Sequence, residues 1–390
     1  MESIWFSILN VLANRLIECK LVYTNKWHEK SKKPFKSVGG MKLRILLISS
    51  LPPPEGGIST WTKIYNEHCK KSGHLVDIIN TALTGRRAKK INNKRNLLDE
   101  IFRMNNIFTV LFRYLKMNKA DVAHINSSCG SLGIIRDYLI INLIRRKKIP
   151  IVLHLHCNAA DQLKSKLAVH FFNKAVRLAS EVLVLNQDTQ KYVRETCYVE
   201  SQVVPNFIQE NWILKNKKEI NKEVKKIMFI GHVQPAKGIE DIFEIAKIYP
   251  EIQFILAGPV KSNNDGLIVS ENVKLLGAIE QKDVQGLLDS ADVFLFPTRS
   301  EGFSMALTEA MARGIPIITT RVGANLEMIE EYGGVGVSVG DVAGMVQAIE
   351  KLKKVETRTK MSNWNINKVR KNYTVEKVMV KLFSIYDEIL

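Results

Sequence analysis

Short apolar runs recur along the chain, and most are followed by a glycine-containing turn and then by apolar residues at helical spacing. The clearest instance lies late in the sequence. Val293 to Phe296 (VFLF) is apolar at every position, as in a strand buried on both faces of a parallel sheet. Pro297 ends that run, and the loop Thr298-Arg299-Ser300-Glu301-Gly302-Phe303 follows. Ser304 then fits the cap of a helix whose apolar positions Met305, Leu307, Ala310 and Met311 lead to a stop at Gly314-Ile315-Pro316. Ile315 to Thr319 reads as the next strand.

The same rhythm predicts strands at 42–50, 77–79, 121–125, 151–156, 181–186, 226–231, 253–258 and 273–277. Helical periods start at Trp61, run through Tyr114, span Ser131 to Arg146, start again at Ile239 and span Asp283 to Ser290. Alternating strands and helices specify an α/β fold with doubly wound parallel sheets. At 390 residues the chain exceeds one comfortable core, so two domains are expected, and the lysine-rich segment Lys215 to Lys226 reads as the linker between them.

The first 40 residues precede the first strand. Ser3, Ser7, Asn10, Asn14 and Glu18 fall on one helical stripe, with Trp5, Ile8, Leu9, Leu12 and Leu16 opposite, so Ile4 to Tyr23 reads as an amphipathic helix followed by lysines from Lys26 to Lys36. Three readings stay open: a helix lying in a membrane interface, a helix packed on the first domain, or a segment upstream of a true start at Met41. A secretory signal is not expected, because Met1-Glu2 lacks a positive start and no small-residue cleavage site follows.

Hydrophobic residues make up 46% of the chain, yet no apolar run approaches the roughly 20 residues of a membrane span. The five cysteines, at positions 19, 69, 129, 157 and 197, are dispersed and lack a CxxC pair, which predicts reduced thiols in a cytosol and no zinc site. The formal charge of +18 is concentrated at Arg86-Arg87-Ala88-Lys89-Lys90, at Arg145 to Lys148 and at Lys215 to Lys226. No nucleic-acid-binding module accompanies these clusters, so nucleic acid is not an expected partner. An anionic membrane surface suits them better, at about 1 kcal/mol per basic side chain. The plain alternative is a solvated basic face.

A strand, a glycine turn and a helix start aim amide N–H groups and a positive dipole end at one point, where a phosphate is the natural guest. Glu301 and Glu309 flank that point with seven residues between them. A helix beginning near Phe303 would carry Glu309 about 9 Å along its axis. Acids in a first turn also occur for dipole reasons alone.

The stretch PTRSEGFSMALTEAMARGIPIITTRVGANLEMI resembles the donor-site signature of retaining glycosyltransferases of the GT-B fold, family 4. The resemblance implies two Rossmann-like domains facing across a cleft: an acceptor domain at 41–208 and a nucleotide-sugar domain at 209–373. It also implies a C-terminal helix at 374–390 that packs back on the first, with 1–40 left as an extension. It implies that Glu301 meets the donor sugar and Glu309 the ribose hydroxyls, while the backbone N–H groups of Gly302, Phe303, Ser304 and Met305 cradle sugar and β-phosphate.

Other segments extend the resemblance. PPPEGGIST replaces the GxGxxG of a dinucleotide-binding turn and resembles the family's first-domain loop, whose glycines, here Gly56 and Gly57, admit donor phosphates or acceptor. His154 and His156 share one face of a strand. By resemblance His156 is the site residue near donor phosphate and acceptor, while His154 reads as a packed core histidine, and Cys157-Asn158 departs from the family's small residue. Val203 to Phe207 resembles the turn that closes the first domain. In HVQPAKG, His232 stands where an arginine is usual, and Lys237 stands where the family has the cation for the diphosphate. Ala278 and Ile279 fall at the base contact, and Glu327 opens a later helix.

The sequence contains no DxD motif, so neither a metal nor another cofactor is expected, and helix N-termini with Lys237 take over charge stabilisation. The expected activity is retaining, metal-independent transfer of a sugar from a nucleoside-diphosphate sugar to a lipid-linked or other glycan acceptor in surface polysaccharide or lipopolysaccharide assembly. The setting this implies is cytoplasmic, at the inner face of the plasma membrane. A sugar-nucleotide epimerase of the same fold and a non-enzymatic basic adaptor are the rivals.

Overall fold

The structure, a computed structural model, describes residues 42–53, 56–82, 97–260 and 270–390. The amphipathic segment Ile4 to Tyr23, the lysines after it, the basic cluster at 86–90 and Pro54-Glu55 of the first glycine loop lie outside the described residues.

Among the described residues twelve strands form two parallel sheets of six, with α-helices between most successive strands. The first sheet contains β1 (Arg44–Ser49), β2 (Leu75–Asn80), β3 (Val122–Ser127), β4 (Ile151–Leu155), β5 (Glu181–Val184) and β6 (Gln202–Val203), in the order β2-β1-β3-β4-β5-β6. The second contains β7 (Lys226–Ile230), β8 (Gln253–Ala257), β9 (Val273–Gly277), β10 (Val293–Phe296), β11 (Ile317–Thr320) and β12 (Gly334–Val337), in the order β12-β11-β10-β7-β8-β9. These are the doubly wound sheets that the strand and helix rhythm predicts. The chain forms two compact units, one taking the chain up to Asn126 with Leu139–Ile151, the other Ser127–Tyr138 with Val152–Leu390. The sheets instead change between β6 and β7.

In the second sheet β7 pairs with β8 on one side and β10 on the other, so the winding reverses between β7 and β10. Loops leaving the carboxyl ends of those two strands therefore flank a crevice, the position where doubly wound sheets bind ligands. β10 is buried at every position, and its Phe294 and Phe296 lie stacked at 5.9 Å, with Phe229 of β7 stacked on Phe296 at the same spacing. This aromatic layer fixes both strands beneath the crevice.

The lysine-rich stretch read as a linker is tied down. The Asp292 carboxylate, buried just before β10, accepts from Asn221 Nδ2 at 2.7 Å and from the backbone N–H groups of Lys225 and Lys226 at 2.8 Å each. Arg358 Nη2, fully buried, donates to the carbonyls of Asn221 and Lys222. The run lies between β6 and β7, and two buried charges tether its Asn221 to Lys226 part.

The thiol expectation needs correction. Cys129 and Cys157, 28 residues apart, are joined in a disulfide, because the loops after β3 and β4 leave adjacent strand ends. Cys69 and Cys197 are buried free thiols, and burial pushes both up to about 12. The last helix, Val375–Ile389, is capped by Thr374, and Lys381 Nζ donates to the Val203 carbonyl in β6. Among the described residues no helix is long and apolar enough to cross a membrane.

Replacing Asp292 by Ala leaves two backbone donors at the entry to β7 without their carboxylate. The expected cost is about 2–4 kcal/mol, read as a fall in the urea midpoint with an unchanged slope.

Candidate active site

The loop after β7 and the loop after β10 meet at the crevice. Gly238 has φ +70°, and a Cβ there would stand 2.0 Å from the Pro297 carbonyl oxygen, so only glycine lets the two loops pass this closely. Just before it, Lys237 ends a 3₁₀ turn, Pro235–Lys237, and its Nζ forms an ion pair with Glu301 Oε1. Both side chains are largely withdrawn from water, and Nζ also lies 5.7 Å from the centre of the Phe296 ring. The Arg299 N–H donates to the Ala236 carbonyl, and its guanidinium holds Asp241 at 3.0 Å. Burial raises the Asp241 carboxyl, and Arg299 works against that shift. Sequence spacing gave no sign that Lys237 and Glu301, 64 residues apart, are direct partners.

Ser304 caps the following helix, Met305–Ala312, accepting from Leu307 N at 3.2 Å. The helix therefore starts at Met305 rather than near Phe303, because Ser304 is held extended by its capping role. Glu309 then stands about 6 Å along the axis rather than 9 Å. Burial pushes its carboxyl up to about 7, opposed by a hydrogen bond with Gln281. Gln281 opens the helix after β9 and lies two positions beyond Ile279, which is itself half-buried and packed against the core, so the second glutamate and the expected base-side loop share one locality.

Phe303 lies two positions beyond Glu301. Its ring is buried, edge-on to Tyr373 at 5.3 Å, and lines a separate cavity of about 320 Å³ with Leu185, Val203, Met328 and Tyr373. That cavity includes neither Lys237 nor Glu301. Met305 is half-buried against the core. His232 is exposed, directly after Gly231 at the end of β7. His154 is fully buried and its ring lies 4.1 Å from that of His156, which is half-buried and follows β4. The next residue, Cys157, abuts Gly302: a Cβ on Gly302 would come within 3.0 Å of the Cys157 carbonyl carbon. Gly56 and Gly57 belong to the other unit, where they start the exposed end of the helix Gly57–Lys71.

Two contacts to the loop after β10 had no signal in the sequence beyond turn chemistry. Ser300 Oγ donates to Asp161 Oδ2 at 2.6 Å, and Asn186 Nδ2 donates to the Gly302 carbonyl at 2.7 Å. Asn186 reads locally as the cap of the helix Gln187–Cys197, and its Oδ1 does accept from Thr189 N. Among the described residues no group of three His, Cys, Asp or Glu side chains is placed to share a metal ion.

Residues 210–368, which carry Lys237, Glu301 and Glu309, match the family described as glycosyl transferases group 1. The chain is 23% identical over 351 residues to the UDP-Gal:alpha-D-GlcNAc-diphosphoundecaprenol alpha-1,3-galactosyltransferase of Escherichia coli, covering 82% of this chain and 87% of that one. Its fold is similar to that of sucrose-phosphate synthase from Thermosynechococcus elongatus, with a TM-score of 0.75 at 15% identity over 89% of this chain and 99% of the other. Anabaena HepE in complex with UDP-glucose gives a TM-score of 0.68 at 16% identity over 89% and 100%. The family match thus falls on residues 210–368, and the fold of the chain is the GT-B fold of glycosyltransferase structures.

Proposed function

We propose that the chain is a retaining, metal-independent transferase that moves a sugar from a nucleoside-diphosphate sugar to a lipid-linked glycan acceptor during surface polysaccharide assembly. The observation that carries this reading is the Lys237–Glu301 pair at the reversal point of the second sheet, beside the capped start of the helix Met305–Ala312. The donor class is supported by HepE, which binds UDP-glucose, and the acceptor class by the relative whose name specifies a diphosphoundecaprenol substrate.

In this reading the diphosphate lies against Lys237 and the N–H groups of Gly302 to Met305, while Glu301 faces the sugar and Glu309 the ribose. The bond from the anomeric carbon to the phosphate oxygen breaks as the acceptor oxygen bonds to that carbon on the same face. The acceptor's hydroxyl proton passes to the departing phosphate. His156, at the end of β4 next to the Cys157–Gly302 contact, is assigned to the sugar-phosphate side. Preorganised amides and one lysine supply the charge stabilisation that other transferases take from a metal. The basic surface, including the exposed cluster Arg145 to Lys148, would hold the enzyme near an anionic bilayer that carries the acceptor.

Nucleotide release from a panel of UDP-, GDP-, ADP- and dTDP-sugars tests the reading. Lys237→Ala and Glu309→Ala are each expected to lower turnover about 10²- to 10³-fold, with activity of the parent unchanged by a chelator. Full activity in both variants removes the proposed donor site. Donor conversion without any acceptor would favour the epimerase instead.

Glu309 adds a pH signature. Its carboxyl is raised from 4.5 to about 7, so the ionised acceptor form needed for ribose hydroxyls accumulates only as pH rises through that value. The donor KM should fall between pH 6 and pH 8, and Glu309→Gln should flatten that dependence. Because the folded carboxyl is raised, its burial weakens the native state increasingly from pH 4.5 upward. Glu309→Gln should therefore gain thermal stability over the parent at pH 8 and not at pH 4. Identical profiles for parent and variant would show that Glu309 is not the titrating group.

A further inference from the structure

We propose that Asn186 is a positioning residue for transfer, setting the loop that presents Glu301 to the donor sugar. The two ends of its amide do different work. Oδ1 accepts from Thr189 N at 2.7 Å and caps the helix Gln187–Cys197, while Nδ2 donates to the Gly302 carbonyl at 2.7 Å. An N–H group on one side and a carbonyl on the other leave only one orientation for the amide. The side chain is fully buried, so neither bond is exchanged with water.

The contact closes a ring. The Gly302 carbonyl also accepts from Ala324 N at 3.1 Å, and the helix that follows, Asn325–Ile329, carries Glu327, whose Oε1 accepts from the backbone N–H of Gln187 at 2.8 Å. Gln187 is the neighbour of Asn186, so the path returns to its start. On the other side of Glu301, Ser300 Oγ is held by Asp161 Oδ2. Glu301 thus stands between two residues whose positions are set from the helices after β4 and β5. Its own side chain is engaged by Lys237 from a third direction. Thr189 extends the same arrangement toward His156, since its Oγ1 donates to the carbonyl of Cys157 at 3.2 Å.

A helix cap needs only an acceptor at this position, and Asp or Ser supplies one. Holding Gly302 needs a donor on the opposite side, which an ionised Asp lacks and which the Ser hydroxyl, one bond shorter than the Asn Nδ2, does not bring to the Gly302 carbonyl. The residue choice therefore separates stability from positioning. The inference rests on the reading of Glu301 and the Ser304 helix start as the donor site.

The test uses the full-length chain with Asn186→Asp, Asn186→Ser and Asn186→Ala, beside Lys237→Ala and Glu309→Ala. The donor is whichever UDP-, GDP-, ADP- or dTDP-sugar the parent turns over. Asn186→Asp and Asn186→Ser both keep a cap acceptor; Asn186→Ser is expected to hold the parent's thermal midpoint, whereas Asn186→Asp, which places a carboxylate at a fully buried position, should lose part of it at neutral pH. Their kcat/KM for the donor should nevertheless fall about 10- to 100-fold, with the acceptor KM unchanged. The Asp variant should be the weaker of the two, because a carboxylate oxygen then faces the Gly302 carbonyl. Asn186→Ala should lose thermal stability as well.

Parent-like kcat/KM in both capped variants, with Lys237→Ala and Glu309→Ala inactive, overturns the positioning role and leaves the donor site standing. Loss of activity that follows loss of thermal midpoint across the three variants also overturns it, by making Asn186 a cap and nothing more. Full activity in Lys237→Ala and Glu309→Ala is a separate result that removes the donor site and this role with it.

Discussion

The site is built around one close approach, the turn after β7 against the end of β10. Gly238 meets the Pro297 carbonyl where no side chain fits, and this brings the ammonium of Lys237 onto the carboxylate of Glu301. Ion pairs withdrawn from water give back in desolvation much of what they gain by attraction, so such a pair is weak support for stability by itself. Here the strands beneath are already fixed by the Phe229, Phe294 and Phe296 layer, and the pair rests on Phe296. The fold holds the charges together, and the charges contribute little to holding the fold.

That division separates the two glutamates. Glu301 has a cation against it, and its neighbours are anchored from two helices. Glu309 sits inside a helix with a neutral amide, Gln281, for a partner, and burial pushes it up to about 7. Two carboxylates eight positions apart thus occupy different electrostatic surroundings, which suits different tasks in the proposed reaction.

Much of this was legible in the sequence because it is local. The extent of β10, the Ser304 cap, the stop at Gly314 and the strand and helix rhythm each depend on a window of a few residues, where apolar period and turn chemistry decide the outcome. The helix start moved because a capping serine must be extended, a rule whose register is hard to fix from a run such as Gly302-Phe303-Ser304. The remainder was out of reach for a different reason. Asn186 and Gly302 are 116 residues apart, Arg358 and Asn221 137 apart, and the Cys129–Cys157 bond joins two loops whose adjacency follows from strand order alone. Composition marks Lys215 to Lys226 by its charge, and says nothing of the buried Asp292 and Arg358 that hold part of it. It gave the wrong answer for the cysteines because dispersion along the chain says nothing of distance in the fold.

The pairing of Lys237 with Glu301 also bears on how a single lysine would serve in the proposed metal-independent reaction. Paired, the two charges nearly cancel at any distance and present little field to an approaching ligand. In the proposed reaction the donor enters between them, with its sugar toward Glu301 and its diphosphate toward Lys237. As the bond between sugar and phosphate lengthens, positive charge grows on the sugar and negative charge on the phosphate. The carboxylate and the ammonium are then each next to the half of the breaking bond that needs it, and the helix N-terminus adds about half a positive charge on the phosphate side. Such an arrangement favours the separated charges of the transition state over the neutral bond of the bound donor, which is the condition for raising turnover rather than merely tightening binding. It works only while Glu301 stays on the sugar's side of the crevice, and that is where the hydrogen bonds to Ser300 and Gly302 act.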